Sequence, residues 1–453
     1  MKYPLLCILL YHSSLQAGIL IDSFEYALNN NHNIKLSHAK LNYETASNHY
    51  ENKRSNIKLV ADGFARYYTP QKSGLSDANF NLPNTTAHET FTKANFNIAL
   101  SKDIYNPKTI ALKALGKEKV KKASFALKHN KNMLILDIVH DYIDILKQYD
   151  QLKLTKARYA LSNKELEEAI AKEEVEEMDR VQVALIGSKN REYKVRQALA
   201  LDRFKNVINN FELLTQNDLD KINLLKQSIN HQSKEIPSLS FYQEALVQKH
   251  PKLLELQKNI EIAHKHIAVI QAKYNPSLTA QMGYEYTQNY TPVVIGRTYE
   301  SGAFVGLSTV IPLYTGGRNH AETQKEIMQV QEEEEKKAKE TSQLLLSLKK
   351  EYRLYNSLIL EIEVAKQHLE TLALLNEQAR VKVEVGTMFP IEKAKINYQY
   401  KEAESYLKHL EYNYILADSN VKYLSGTLNR DDLIDFESKL NKNQIFIHEL
   451  IGR

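Results

Sequence analysis

The two halves of this 453-residue chain repeat one another, and a duplicated chain must fold as two similar units that share a core or a wall. Near the start stands Phe24-Glu25-Tyr26-Ala27-Leu28, and later comes Phe241-Tyr242-Gln243-Glu244-Ala245-Leu246, so that Ala27 falls over Ala245 and His32 over His250 at an offset of 218. Further on the offset settles at 210. Leu134, Ile138, Tyr142, Ile145, Tyr149 and Leu152 then fall over Leu344, Leu348, Tyr352, Tyr355, Ile359 and Ile362. Both series step by 4, 4, 3, 4 and 3, the spacing of an apolar seam along a helix. A seam alone can be matched between any two amphipathic helices. The same register also lays Met178 over Met388, Ala184 over Ala394 and Phe204 over Tyr414, which chance pairing of seams does not explain.

Each half reads as helix, strand, strand, very long helices. A helical pattern over residues 23–56 and again over 238–274 gives way to alternation of period two. In the second half Leu278, Ala280, Met282, Tyr284 and Tyr286 share one face of a strand, and after a loop Ala303, Val305 and Leu307 share one face of the next. In the first half a strand runs near 57–68, and Ala94, Phe96, Ile98 and Leu100 alternate with polar residues in another near 91–101. The partner strands lie near 277–290 and 301–311, with polar, turn-rich connections at 69–90 and 291–300. Each strand is expected to be ~10 residues, the length a tilted strand needs to cross a bilayer. Long helices follow at 107–210 and 318–425, broken only by Gly116 and Gly187 in one and by Gly386 and Pro390 in the other. At a rise of 1.5 Å per residue, the run from Pro107 to Val175 would reach ~100 Å, far more than a compact core requires. The charged runs on these helices read as solvated faces, and the seams show that the rods lie against other rods.

The expected organisation is therefore a leader at 1–17, a first repeat at 18–212, a linker at 213–237, a second repeat at 238–427 and a terminal segment at 428–453. The two segments outside the repeats both follow returning helices and are expected to lie together. Lys2, the apolar run from Leu5 to Leu10 and the small Ala17 describe a secretory leader. The only cysteine, Cys7, lies within it, which leaves the mature chain without a thiol or a disulfide. No later stretch approaches the ~18 apolar residues of a transmembrane helix, but a transmembrane barrel shows apolar residues on only one face of each strand. The 60 basic and 55 acidic side chains are too evenly mixed to indicate nucleic acid.

In lipid an open sheet edge leaves backbone groups unpaired at several kcal/mol each, so a membrane sheet must close on itself. Four strands cannot do so, because the smallest bacterial barrels have eight. The chain must pool its strands with identical copies; two copies give eight strands and three give twelve, and the wider barrel is the one with room for a water-filled passage. The fold class expected is mainly α with a membrane β-barrel portion: a trimeric barrel joined to a long α-helical coiled-coil tunnel.

At this point the chain resembles the TolC family of outer-membrane channels over nearly all of its mature length. The likeness rests on the two Ala-bearing helices quoted above. It rests also on the strand-to-helix passage Leu307-Ser308-Thr309-Val310-Ile311-Pro312-Leu313-Tyr314-Thr315-Gly316-Gly317-Arg318, on its first-half partner from Asn97 to Asn106, and on the turn Val385-Gly386-Thr387-Met388 followed by Ala394. The resemblance implies a homotrimer in outer-membrane lipid, a periplasmic adaptor (membrane fusion) protein docked at the helical tip, and an inner-membrane pump of RND or ABC type that supplies the energy. It places the tip turns at Met178 and Asp179 and at Val385, Gly386, Thr387, Met388, Phe389 and Pro390. It places a pore-entrance constriction at Glu392, with Lys395 where a second acidic residue is usual, and turns the apolar strand faces toward lipid. Val383 and Met388 stand where the best-known members close the tip with tyrosine and arginine, so a closed state here is expected to rest on apolar contact of Met178, Met388 and Phe389.

No phosphate-binding loop, nucleophile elbow or His-Glu-x-x-His motif is present, and His264 and His266 point to different helix faces. No catalytic, cofactor or metal residue is therefore expected, and the chain is expected to be no enzyme but the passive exit duct of a tripartite efflux or type I secretion system. The alternative is a secreted coiled-coil scaffold or adhesin without a pore, which would have no use for two matched pairs of alternating strands.

Overall fold

The computed structural model describes residues 18–73, 87–226, 237–291 and 296–451, and the expected leader lies outside them. The first repeat runs α1 (Ile19–Asn30), α2 (His32–Lys53), β1 (Lys58–Ser73), β2 (Ala87–Tyr105), α3 (Pro107–Glu174) and α4 (Arg180–Thr215). After β3 (Lys221–Leu225) the order recurs as α5 (Leu239–Lys249), α6 (Pro251–Gln271) with a closing 3-10 turn, β4 (Ser277–Thr291), β5 (Gly296–Val310), α7 (Arg318–Glu384) and α8 (Pro390–Leu424). The chain ends with α9 (Arg430–Ser438), β6 (Leu440–Phe446) and α10 (Ile447–Ile451). No helix among the described residues is long and apolar enough to cross a membrane.

Backbone geometry carries the duplication more sharply than the side chains do. Among the described residues only two non-glycines have positive φ, Glu176 at 60° and Gln216 at 59°. Each falls 210 positions before a glycine in the same conformation, Gly386 at 75° and Gly426 at 74°. The helix-to-helix turns agree bond for bond. Glu177 N–H donates to Lys172 O at 2.8 Å and Thr387 N–H to Lys382 O at 2.9 Å, and the caps Asp179 and Phe389 share φ −72° with ψ 142° and 144°.

The two entry helices expected as single runs are each broken once, at Asn31 and at His250. Asn31 Oδ1 accepts from Asn33 N–H at 2.9 Å and caps α2. Its Nδ2 donates to Leu214 O at 2.8 Å, which satisfies a carbonyl at the end of α4. His250 stands before Pro251, whose fixed φ suits the first position of α6. The break therefore pairs Asn31, not His32, with His250, although the buried residues Phe24 and Ala27 keep the offset of 218 to the buried Tyr242 and Ala245.

The chain divides into two compact units. One comprises residues 1–40, 123–255 and 337–453. Its core is built on the α3 seam: Leu134, Ile138, Tyr142, Ile145, Tyr149 and Leu152 are all buried, with Phe204 and Phe211 of α4 and Leu433 and Phe436 of α9. The linker and the terminal segment meet here, because β3 pairs antiparallel with β6. Tyr142 explains how: its ring lies against Phe211 and Phe436, while its hydroxyl donates to Asn223 O at 3.0 Å and accepts from Asn223 N–H at 2.8 Å.

The other unit comprises residues 41–122 and 256–336 and contains the four-stranded antiparallel sheet, in the order β1-β2-β4-β5. Its strands span 15 to 19 residues, longer than the ~10 expected, and the difference lies in the loops. The β1–β2 ladder continues through polar positions read as a connection, pairing Gln71 with Glu89 and Ser73 with Ala87. Ladder bonds need backbone groups, not apolar side chains. The one irregularity, between Tyr68 and Gln71, falls where Pro70 has no N–H to contribute.

Candidate functional site: a two-faced sheet and the helical tips

The register settles which side chains share a face. One row across the sheet is Leu59, Leu100, Met282 and Val305; the next is Ala61, Ile98, Tyr284 and Ala303; a third is Gly63, Phe96, Tyr286 and Ser301. Ala65 and Ala94 extend this face at one end, and Lys102, Ala280 and Leu307 at the other, with Leu278 beyond them. None of these side chains is buried in the protomer, and Val305 is 82% exposed. Among the described side chains of this face, Lys102 carries the only charge.

The opposite face is polar. Asp62, Asn97, Glu285 and Gly302 form one row, and Phe64, Asn95, Thr287 and Glu300 the next. Asn95 Nδ2 donates to Glu285 Oε1 and to Thr287 Oγ1, both at 2.9 Å, and Asn97 Nδ2 to Asp62 Oδ1 at 3.2 Å. Amides, not cations, hold these carboxylates, so their charge is left facing whatever fills that side. Arg66 sits one row further on, with its guanidinium 4.4 Å from the Phe64 ring centroid. Alternation in the sequence located the apolar face; the cross-strand amide network depends on register, which single strands do not reveal.

In the other unit, Met178 and Asp179 occupy the α3–α4 turn, and Val385, Gly386, Thr387, Met388 and Phe389 the α7–α8 turn. Met178 and Met388 are half-buried, whereas Phe389 is 73% exposed. Pro390 opens α8, and the Glu392 carboxylate accepts from Phe389 N–H at 3.3 Å, which fastens its first turn. Lys395 does not share that role. It lines a groove of about 770 Å³ bounded by α3, α4 and α8, together with Arg158, Tyr193, Arg203 and Tyr398.

Arg158 organises that groove, and nothing in the sequence pattern singled it out. Its guanidinium donates to Tyr193 Oη at 3.0 Å and lies 4.3 Å from that ring's centroid and 5.5 Å from that of Tyr398. It also pairs with Glu165 at 3.3 Å. One side chain on α3 thus engages α4 and α8 together. A second tie lies deeper, where the hydroxyl of Tyr412, 1% exposed, donates to Asp150 Oδ2 at 2.7 Å. Glu176 was equally unmarked in composition, although the 210 offset from Gly386 points to it.

The family profile described as "Outer membrane efflux protein" matches residues 241–427. The outer membrane protein TolC of Vibrio cholerae serotype O1 is 23% identical over 350 residues, covering 76% of this chain and 79% of that protein. TolC of Salmonella enteritidis is 24% identical over 405 residues, covering 84% and 77%. The chain is thus similar to the TolC channels over most of its length, and to the outer membrane efflux proteins over its second repeat. The fold agrees: the Campylobacter jejuni CmeC outer membrane channel superposes with a TM-score of 0.71 at 14% identity, covering 93% of this chain and 90% of that one. The outer-membrane channel OprN superposes with a TM-score of 0.69 at 10% identity, covering 90% of each. The likeness to outer membrane efflux proteins and to TolC makes the chain an outer-membrane protein that extends into the periplasm, an exit duct for efflux or secretion.

Proposed function

We propose that three copies of this chain pool their sheets into a twelve-strand barrel in the outer membrane, and that the long helices continue the passage as a tunnel. The observation that carries this reading is the sheet itself. It has one apolar face, one charged face, and two unpaired edges at β1 and β5. Lipid admits no such edges, and closure against identical copies pairs them all. The apolar face, from Ala94, Phe96, Ile98 and Leu100 through Leu278, Ala280, Met282, Tyr284 and Tyr286 to Ala303, Val305 and Leu307, then turns to lipid, and the Asp62–Glu285 face lines the water.

Exposed apolar residues on α7 support homotrimer formation. Leu346, Leu360 and Leu374 are 14 residues apart and 71%, 71% and 75% exposed, a heptad-spaced stripe suited to a neighbouring helix. The tip residues Met178, Asp179 and Val385 to Pro390 form the periplasmic end, where a periplasmic adaptor docks, and Glu392 and Lys395 lie at the entrance. An inner-membrane pump of RND or ABC type supplies the energy, and the chain itself is no enzyme. The test is membrane fractionation, unheated gel migration and planar-bilayer recording of the purified protein. An outer-membrane, heat-modifiable trimer with steady conductance is expected. A soluble monomer that does not insert refutes the proposal.

A further inference from the structure

The end of the sheet that joins the helices has a chemistry of its own. We propose that this rim, made by the start of β1, the end of β2, the start of β4 and the end of β5, binds the phosphate groups of anionic phospholipids in the periplasmic leaflet. The proposal rests on the barrel reading above and names the headgroup class that the barrel would select.

Every strand end on this side carries an exposed large apolar or aromatic side chain. Ile57 precedes β1, Tyr105 ends β2, Tyr274 precedes β4, and Ile311, Leu313 and Tyr314 follow β5. Leu313 and Tyr314 are 92% and 87% exposed, on an extended segment with no helical or sheet partner. Exposed residues of these types suit the depth at which acyl chains give way to headgroups.

Cations accompany them in excess. Lys102 lies on the apolar face itself, in a row with Ala280 and Leu307, where its stem can follow the surface while the ammonium reaches the polar boundary. Lys108 lies in the first turn of α3 and Arg318 opens α7, and both are exposed. The carboxylates of this region are already engaged. Asp103 accepts from Asn106 Nδ2 at 3.1 Å and from Thr279 Oγ1 at 3.2 Å, on the opposite sheet face. Glu322, four residues beyond Arg318 and felt by it electrostatically, gives its ion pair to Lys273 at 2.5 Å. Among the described residues Lys102, Lys108 and Arg318 thus have no carboxylate within ion-pair distance, and the neighbours of Lys102 across the sheet are apolar. A phosphodiester supplies the missing counter-charge and can take two parallel bonds from a guanidinium. Lipopolysaccharide lies in the other leaflet, beyond the far ends of the strands, so the ligand is phospholipid.

The experiment uses the full chain purified in mild detergent and supplied with phosphatidylglycerol or phosphatidylcholine of identical acyl chains. Native mass spectrometry of the trimer counts the lipid retained. Preferential retention of phosphatidylglycerol is expected, and Lys102→Gln with Arg318→Gln should lower it roughly ten-fold. The control Lys349→Gln with Lys350→Gln, exposed on α7 in the other unit, makes the same charge change and should leave retention unaltered. Equal retention of the two lipids by the wild type, or unchanged retention by the rim variant, overturns the proposal while leaving the duct intact. Failure of the wild type to insert into vesicles as a trimer overturns the duct reading instead.

Discussion

Acidification should weaken this protein through one buried imidazole. His250, at the break between α5 and α6, is 1% exposed, and neither ring nitrogen has a hydrogen-bond partner. It lies about 6.0 Å, centroid to centroid, from both His129 and Tyr423. Burial drives its pKa down from 6.5 to about 4, and the neighbouring His129 and Lys252 push the same way. His129 is itself lowered by burial and by Lys252, with Glu255 and Glu340 opposing. Between pH 6.5 and 4 the unfolded chain therefore binds a proton that the folded chain refuses. Stability from this group is full above pH 6.5 and falls as pH drops toward 4. At ~1.4 kcal/mol per pH unit, the loss is about 2 kcal/mol at pH 5 and about 3 kcal/mol once pH 4 is passed.

The perturbation that isolates the effect is His250→Leu. It removes the titrating ring and breaks no hydrogen bond, so the cost at pH 7.5 should stay below about 1 kcal/mol. Thermal melting followed by far-ultraviolet circular dichroism, at pH 7.5 and pH 5 in the same detergent, reads the difference. Wild type should lose roughly 4 °C more than the variant on moving to pH 5. Titrating groups away from His250 are common to both proteins and cancel. Parallel losses in wild type and variant would refute the reasoning, because the proton would then be binding elsewhere.

Glu176→Gly should stabilise the α3–α4 turn by about 0.5–1 kcal/mol, and Gly386→Ala should destabilise the α7–α8 turn by about 1–2 kcal/mol, as read from melting of each variant. Gly426→Ala should be worse, costing upward of about 2 kcal/mol, because its backbone has φ 74° and an added Cβ would lie 2.6 Å from His250 Cα. Among the described residues Tyr412→Phe leaves Asp150, 4% exposed, with only the Lys408 ammonium at 3.8 Å, and should cost about 1.5–3 kcal/mol in the same assay. On the sheet, Val305→Lys should lower the yield of heat-modifiable trimer by an energy of about 2–4 kcal/mol, while Gln281→Lys on the polar face should leave it unaltered on unheated gels.

What could be read in advance and what could not follow from one distinction. A property carried by the period of a single element is written along the chain: the α3 seam from Leu134 to Leu152 is the core, and Leu278 to Tyr286 share a face. A property that arises where elements meet is not. Arg158 is one charged side chain among many on its helix until Tyr193 and Tyr398 arrive beside it from α4 and α8. Asn95 and Glu285 become partners only once β2 and β4 take their register.

The duplication crosses that distinction. It makes each half a prediction of the other, at the resolution of single backbone angles. Gly386 and Gly426 are legible as turn residues because glycine tolerates positive φ. Glu176 and Gln216 carry no such mark, yet a copied turn must keep its path even where its glycine is absent. The side chains then hold a conformation they do not prefer. That strain persists only because the helices on either side, fixed by their own packing, leave the turn one way to close.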